Sequence, residues 1–342
     1  MNTPDFSRKI TLLSKSSERL GNASMTAKIV FWLSFWSFSW MLAVYAPVSD
    51  STRLIAGVFH IVAHLFIALN IGHDANHNAI TNSPFLREIL KRSFDLVGIS
   101  SYCWRKNHNG LHHHYTSIKD KDVTADGRTI MRFTSSAPWK FFHRYQYLYA
   151  PVIYSAVVLN YIFVRDFLDF GRYLRKSPSD KRIWMALGEC LVFKTFYIGY
   201  MIILPVMLFS GNKIEIITLF ILTQLILGQL IIVIQVPHFN MNTRAVSEEN
   251  LSREWNRNLE FVLNHSSDLA PFSPFWNWVL GGINLHVIHH IAPEVCHIHY
   301  PQLTKELSAY CRKENKSYTY YDSLWDGYLS HYGYLKTMGQ KE

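Results

Sequence analysis

Residues 54–77 read LIAGVFHIVAHLFIALNIGHDANH, an apolar run that ends in two histidines four apart. A hydrocarbon layer of about 30 Å takes roughly 20 residues of helix rising about 1.5 Å each. Leu54 to Gly72 meets that length without one Asp, Glu, Lys or Arg. On a helix His73 and His77 project from one face. The run therefore predicts a membrane span that delivers a pair of imidazoles to the membrane edge.

Upstream, Ile29 to Val48 is a second uncharged run, preceded by Arg8, Lys9, Lys15, Arg19 and Lys28, the positive flank that keeps a segment end in the cytoplasm. It is too long for a cleaved signal. Downstream, Cys190 to Phe209 and Ile216 to Val236 form another pair around Ser210-Gly-Asn-Lys213, with Lys194 expected to snorkel to the inner interface. The two outer turns hold only Arg53 and Lys213 of 34 basic residues. Tyr145 to Val164 is also apolar, but a crossing there would place later histidines on the opposite face from His73. Its tyrosines at 145, 147, 149, 154 and 161 suit a helix lying along the interface.

The expected fold is all-α: a polytopic membrane protein with four transmembrane helices in two hairpins (29–48, 54–72, 190–209, 216–236). An interfacial helix covers 145–164, and a cytoplasmic helical cap comes from Asn78 to Arg182 and from Phe239 onward. The whole of 1–342 reads as one domain. Composition agrees, with 49% hydrophobic and only 17% charged residues, against about 25% charged in soluble domains. The net charge of +9 comes without a basic stripe, which excludes nucleic acid and favours anionic lipid or an acidic partner. Cys103, Cys190, Cys296 and Cys311 form no CxxC pair, so no thiolate zinc site or disulfide framework is signalled.

Two more clusters share the pattern of the first: His108-Asn-Gly-Leu-His112-His113 and His286-Val-Ile-His289-His290. The spacing lets the imidazoles of one cluster converge on an ion, and eight are too many for one. Imidazole binds iron, zinc, copper or nickel. The lack of thiolates and of a regular Glu-x-x-His pair disfavours structural zinc and the carboxylate-bridged bundle. Two ions in a histidine cage are expected. His60 and His64 lie mid-span and should hydrogen-bond within the bundle. His114 and His265 read as supporting or solvated groups, and His297 and His299 as packing residues.

These clusters and their flanks, Gly72-His-Asp-Ala-Asn-His-Asn78, Trp104-Arg-Lys-Asn-His-Asn-Gly-Leu-His-His113, Gly281-Gly-Ile-Asn-Leu-His-Val-Ile-His-His290 and Cys296-His-Ile-His-Tyr-Pro301, resemble the membrane fatty acid desaturase family. The likeness is to the acyl-CoA or acyl-lipid branch with front-end desaturases and their bacterial relatives, and it spans nearly the whole chain. Front-end members often carry Gln where His286 stands, a departure here. The resemblance adds His238, in Gln235-Val-Pro-His238, and implies nine ligands: His73, His77, His108, His112, His113, His238, His286, His289 and His290. It implies two iron ions, O2 as co-substrate, a fatty acyl substrate on CoA, a lipid or a carrier protein, and a cytoplasmic active site. No His-Pro-Gly-Gly heme segment occurs, so electrons are expected from a separate ferredoxin-like or cytochrome-like donor.

Asp74, Asp120, Asp122, Asn264 and Asp268 are candidates to hold the outer nitrogens of the ligands. Trp104, Trp276 and Trp278 are candidates for the acyl channel. The rivals are a membrane hydroxylase or an acetylenase using the same centre, and a metal-ion transporter. A transporter would need ligands at the midplane, where only His60 and His64 lie.

Overall fold

The computed structural model describes residues 23–118, 121–122, 125, 130–243 and 259–341. Arg8, Lys9, Lys15, Arg19 and Asp120 lie outside the described residues. Helices dominate. Among the described residues, four of them are each long and apolar enough to cross a membrane: α1 (Ala23–Val44), α2 (Asp50–Asn76), and two further along the chain at Lys181–Leu208 and Lys213–Ile234. The first starts six residues before the apolar run read from the sequence and the third nine residues before.

Local chemistry sets the ends. Ser49 caps α2 by accepting the Thr52 N–H at 3.3 Å, and Arg53 closes the preceding turn by donating to the Val44 and Ala46 carbonyls at 2.9 and 2.7 Å. Beyond α2, a short helix α3 (Pro84–Lys91) is capped by Ser83 and leaves Phe85, Leu86 and Ile89 exposed. The next, α4 (Ser101–Asn107), is capped by Ser100. A bent pair follows, α5 (Phe141–Ser155) and α6 (Val157–Lys176), meeting at 56°; together they are long and apolar enough for a fifth, broken span or a re-entrant loop. Asp180 and Asn212 cap α7 (Lys181–Leu208) and α8 (Lys213–Ile234). The described residues from 259 onward include α9 (Leu259–His265), α10 (Pro274–Val279), α11 (His286–Ile291), α12 (Tyr300–Lys313) and α13 (Leu324–Met338). A two-residue parallel pair joins β1 (Asp268–Leu269) to β2 (Tyr320–Tyr321).

The first helix packs along α2, and α8 packs against α2, α5 and α6. Gly228 of α8 lets the bend of the α5–α6 pair approach closely, since a Cβ there would meet the Tyr154 and Ser155 carbonyls. The outer faces are apolar: Met185, Val192, Phe196 and Met207 on α7 and Ile214, Leu222 and Ile226 on α8 are exposed, as lipid-facing helix surfaces are. Two lysines differ from expectation. Lys194 does not snorkel; it is buried, donating to the Gly98 carbonyl at 2.9 Å and pairing with Asp166 at 2.9 Å. Lys28 is not a surface flank either, because its ammonium is buried within the protein and meets His297. Each finds internal acceptors, which replace the water that a snorkelling ammonium would seek.

His60 and His64 do hydrogen-bond within the bundle. The His64 ring lies 2.8 Å from the Tyr200 hydroxyl and 2.9 Å from the His60 carbonyl, and His60 lies 2.9 Å from the Trp36 carbonyl. The segment with five tyrosines is partly buried. Tyr154 reaches His331 at 2.7 Å and Tyr149 donates to the Ile130 carbonyl at 2.5 Å.

Candidate metal centre

The first cluster stands at the end of α2, just after a π-turn at Ala68–Gly72. Such turns add a residue to the helix and rotate the side chains beyond them about its axis. The helix stops after His77 because Asn78 takes a left-handed conformation, φ 60°, and the Ala79 N–H closes on the Asp74 carbonyl at 2.8 Å. A second π-turn, His108–His112, continues α4 through the second cluster. The third cluster forms α11, whose start is capped by Asp268 accepting the Val287 N–H at 2.8 Å.

Long-range contacts bring these ends together. Gly281 and Gly282 have φ of 61° and 68°, and a Cβ on Gly281 would lie 2.6 Å from the Leu69 carbonyl oxygen. The turn before α11 thus docks on the π-turn of α2, where Asn70 donates to the Val279 carbonyl at 2.9 Å. The second cluster is tied to the first by Asn76, which accepts from Arg105 at 2.9 Å and, through its carbonyl, from Asn109 at 2.9 Å. Nothing in the sequence singles out Asn76 or Arg105 for that work.

All nine expected histidines meet in one place, but not cluster by cluster. His73, His77, His108 and His289 form one group whose ring nitrogens lie within 4.8 Å of one another, and His112, His238, His286 and His290 form a second. His113 stands between them, in reach of His289 and His290. The second and third clusters are each divided between the groups. The convergence of one cluster's imidazoles that the spacing allows is therefore seen in the first cluster, His73 and His77, and not in the other two. A turn of α-helix and π-helix aims neighbouring rings apart, and His289 lies about 100° around α11 from His290.

The donor chemistry fits cations. In the second group, His286 Nε2 lies 2.8 Å from His238 Nε2, and His290 Nε2 lies 3.1 and 3.2 Å from His238 Nε2 and His286 Nε2. The Nδ1 atoms of His238 and His286 face the His265 and Ile283 carbonyls at 3.2 and 3.1 Å. A carbonyl only accepts, so the ring proton sits on Nδ1 and each Nε2 presents a lone pair. Lone pairs that face one another across this gap call for a cation between them. In the first group, His73 Nε2, His77 Nε2 and both ring nitrogens of His289 are buried without a hydrogen-bond partner. Burial, reinforced by neighbouring imidazoles, holds His108, His113, His238, His289 and His290 well below the ordinary histidine range, and pushes His286 down to about 3. For these six the surroundings favour the neutral imidazole, the form that binds a metal.

Of the expected supporting residues, Asp122 lies with both oxygens 3.1 Å from His112 Nδ1. Asp74 lies 3.6 Å from His73 Nδ1 and accepts from His297 Nδ1 at 2.8 Å. Asp268 touches no imidazole; it caps α11 and accepts from Tyr318 at 2.5 Å, and burial pushes its carboxyl up to about 7. Asn264 is half-buried on α9 and makes no hydrogen bond to the nine histidines. His265 contributes its carbonyl to His238 while its own ring bonds to the Phe261 carbonyl at 2.8 Å. His114 bonds to the Asn109 carbonyl at 2.8 Å.

Trp104 stacks on His108 with ring centres 4.2 Å apart and walls the first group. Trp276 packs against the main apolar core, and Trp278 lies half-exposed beside Trp32. An apolar cavity between α2, α6, α7 and α8 is lined by Leu65, Ala68, Val97, Ile99, Ile162 and Leu227, and Ala68 is five residues before His73.

Two adjacent groups of imidazoles that could each hold a metal ion thus stand where membrane-length helices end. The chain belongs to the fatty acid desaturase family, whose sequence model matches residues 51–322. It is 31% identical to the sn-1 linoleoyl-lipid 6-desaturase of Synechocystis sp., over 93% of this chain and 89% of that protein. The enzyme of the same description from Arthrospira platensis is 26% identical over 93% of this chain and 86% of its own length. An acyl-lipid (8-3)-desaturase of Physcomitrium patens is 29% identical over 93% of this chain and 67% of its own. The protein is thus an integral membrane oxidoreductase of lipid metabolism, and its family implies iron.

Proposed function

We propose that the chain introduces a carbon–carbon double bond into an acyl group carried on a membrane lipid, using two iron ions held by the nine histidines. The observation that carries this is the division of those histidines into two adjacent four-ring groups with His113 between. When bound, the iron pair supplies the oxidising step, in which a –CH2–CH2– unit, O2, two electrons and two protons give an alkene and two waters. The protein's own part is positional. Asp122 and the carbonyls of His265 and Ile283 fix the ring protons outward, so that the lone pairs face inward. Trp104 and the buried walls keep water from the reacting carbons. The apolar cavity beside Ala68 is our candidate for where part of an acyl chain begins to be held.

One membrane-embedded unit with two helical hairpins accounts for the shape. Both helices of the α5–α6 pair are tied to neighbouring elements on either side of the bend: Gln146 in α5 donates to the Leu335 carbonyl at 2.7 Å, and Asp166, midway along α6, accepts the Ser100 N–H at 2.8 Å. That supports a pair that enters and returns on one side, leaving four crossings and a cytoplasmic centre. The relatives' names support a lipid-bound acyl substrate. A separate electron donor docks on the same face, where the basic surface would steer an acidic partner.

Expression in a host and mass spectrometry of its lipids tests the reading. A new acyl species lighter by two hydrogens is expected, abolished by alanine at His73, His112 or His289 with the protein still in the membrane. Loss of four hydrogens, gain of one oxygen, or activity in any of those variants would overturn it.

A further inference from the structure

A charged chain runs from the first helix to the first histidine group. Lys28, on α1, is only 4% exposed, and a desolvated ammonium needs strong acceptors. Its Nζ lies 2.9 Å from His297 Nε2 and 5.2 Å from the centre of the Trp278 ring. A lysine ammonium only donates, so His297 Nε2 accepts and its proton sits on Nδ1. Nδ1 then donates to Asp74 Oδ2 at 2.8 Å, beside the His297 backbone N–H, which donates to the same oxygen at 2.9 Å. The other carboxylate oxygen, Oδ1, faces His73 Nδ1 at 3.6 Å, while His73 Nε2 points into the group with no other partner. Every member of the chain is buried.

Asp74, Cys296 and His297 also place ligand atoms within 4.8 Å of one another, a grouping that resembles a third ion site. The ammonium already takes the lone pair of His297 that such an ion would use. The positive charge at that place is the protein's own.

We propose that Lys28 is a positioning residue for the first metal site, acting through His297 and Asp74 to hold His73 with its Nε2 lone pair turned inward. This rests on the reading of His73 as an iron ligand. The ammonium selects the His297 tautomer, that tautomer leaves Asp74 one oxygen free for His73, and the carboxylate orients the ring. Lys28 touches neither ligand nor substrate; its effect travels through two hydrogen bonds to Asp74 and from there through the electrostatic pull of the carboxylate on His73 Nδ1, 3.6 Å away and without a hydrogen bond of its own. Removing outer partners of ligating histidines weakens metal binding about 10- to 100-fold.

The test is iron per chain, and the rate at which a chelator removes it, on full-length protein purified as expressed, with helix content as the check on folding. Lys28→Met should speed release of one of two ions about 10- to 100-fold and leave the other at its original rate. His297→Leu should match it, and the double variant should be no worse than either alone, because both act on one path. Lys28→Gln keeps a donor to His297 without the charge and should release iron within about threefold of the original rate. Unchanged release in Lys28→Met, equal loss of both ions, additive effects in the double variant, or a Gln variant as fast as Met would each overturn the proposal. Original protein that carries no iron would instead refute the ligand reading itself.

Discussion

Asp122→Asn isolates the second histidine group. Both carboxylate oxygens lie 3.1 Å from His112 Nδ1, and one of them also accepts the Ser117 N–H at 2.7 Å. Both side chains are fully buried, so water cannot replace a lost partner. An amide has one acceptor oxygen and one NH2. If the oxygen keeps the Ser117 N–H, the NH2 meets His112 Nδ1, which must then give up its proton and accept. The proton moves to Nε2, the atom facing His238, His286 and His290, and the lone pair meant for the metal is gone. If the amide turns the other way, its NH2 opposes the Ser117 N–H instead, and the turn after the second cluster loses its clasp.

The magnitude is set by the kind of bond lost. A ligating His112 is neutral, so its bond to Asp122 is a charge-assisted hydrogen bond of about 1.5–3 kcal/mol. Most of that appears as weaker metal binding, roughly 10- to 100-fold, or about 1.4–2.7 kcal/mol. The measurement is iron per chain in detergent-purified protein during stepwise chelation. Stoichiometry in Asp122→Asn should fall from two toward one at a chelator level that leaves the original protein full, the retained ion being the one beside His73. Simultaneous loss of both ions, or two ions held as tightly as before, would refute the argument that Asp122 acts on His112 alone.

Buried contacts elsewhere give further expected outcomes. Lys194→Ala strips Asp166 of its cationic partner at 2.9 Å, leaving it the Ser100 N–H, and should destabilise the protein by about 3–5 kcal/mol, read as a lowered Tm in detergent. Gly281→Ala forces a side chain into φ 61° with its Cβ 2.6 Å from the Leu69 oxygen. The backbone conformation alone costs about 1–2 kcal/mol, and the forced separation of α2 from α11 should lower iron content as well as Tm. His331, held between the Tyr154 hydroxyl and the Phe239 carbonyl, is pushed down by burial to about 4. Its unfolded imidazole takes a proton below about pH 6.5 and the folded one does not, so stability is complete above that pH and falls as the pH drops toward 4. That amounts to roughly 3 kcal/mol for this group. The Tm of His331→Gln should fall less steeply over this window than that of the original protein; an identical slope would refute the assignment.

What the chain reveals of itself differs by the range of the interaction concerned. The spans were readable because an uncharged run of membrane length has few other uses, and the clusters because imidazoles three or four apart share a helix face. Both are local facts. The partition of rings between two groups is not local. It depends on a π-turn inside His108–His112 and on which face of α11 meets which helix, and neither leaves a mark in the spacing. The two lysines make the same point from the other side. A lysine near a membrane segment reads as a surface anchor, yet Lys28 and Lys194 find carbonyl, carboxylate and imidazole acceptors supplied by residues far along the chain: His297, Gly98, Asp166. Burial of a charge is decided by its partners, and partners are a property of the fold. The same dependence explains why Asp268, expected beside a ligand, instead caps the helix that carries three of them. Its influence on the centre is exerted through the direction of α11, so its loss should disturb His286, His289 and His290 together, whereas loss of Asp122 should disturb one ring.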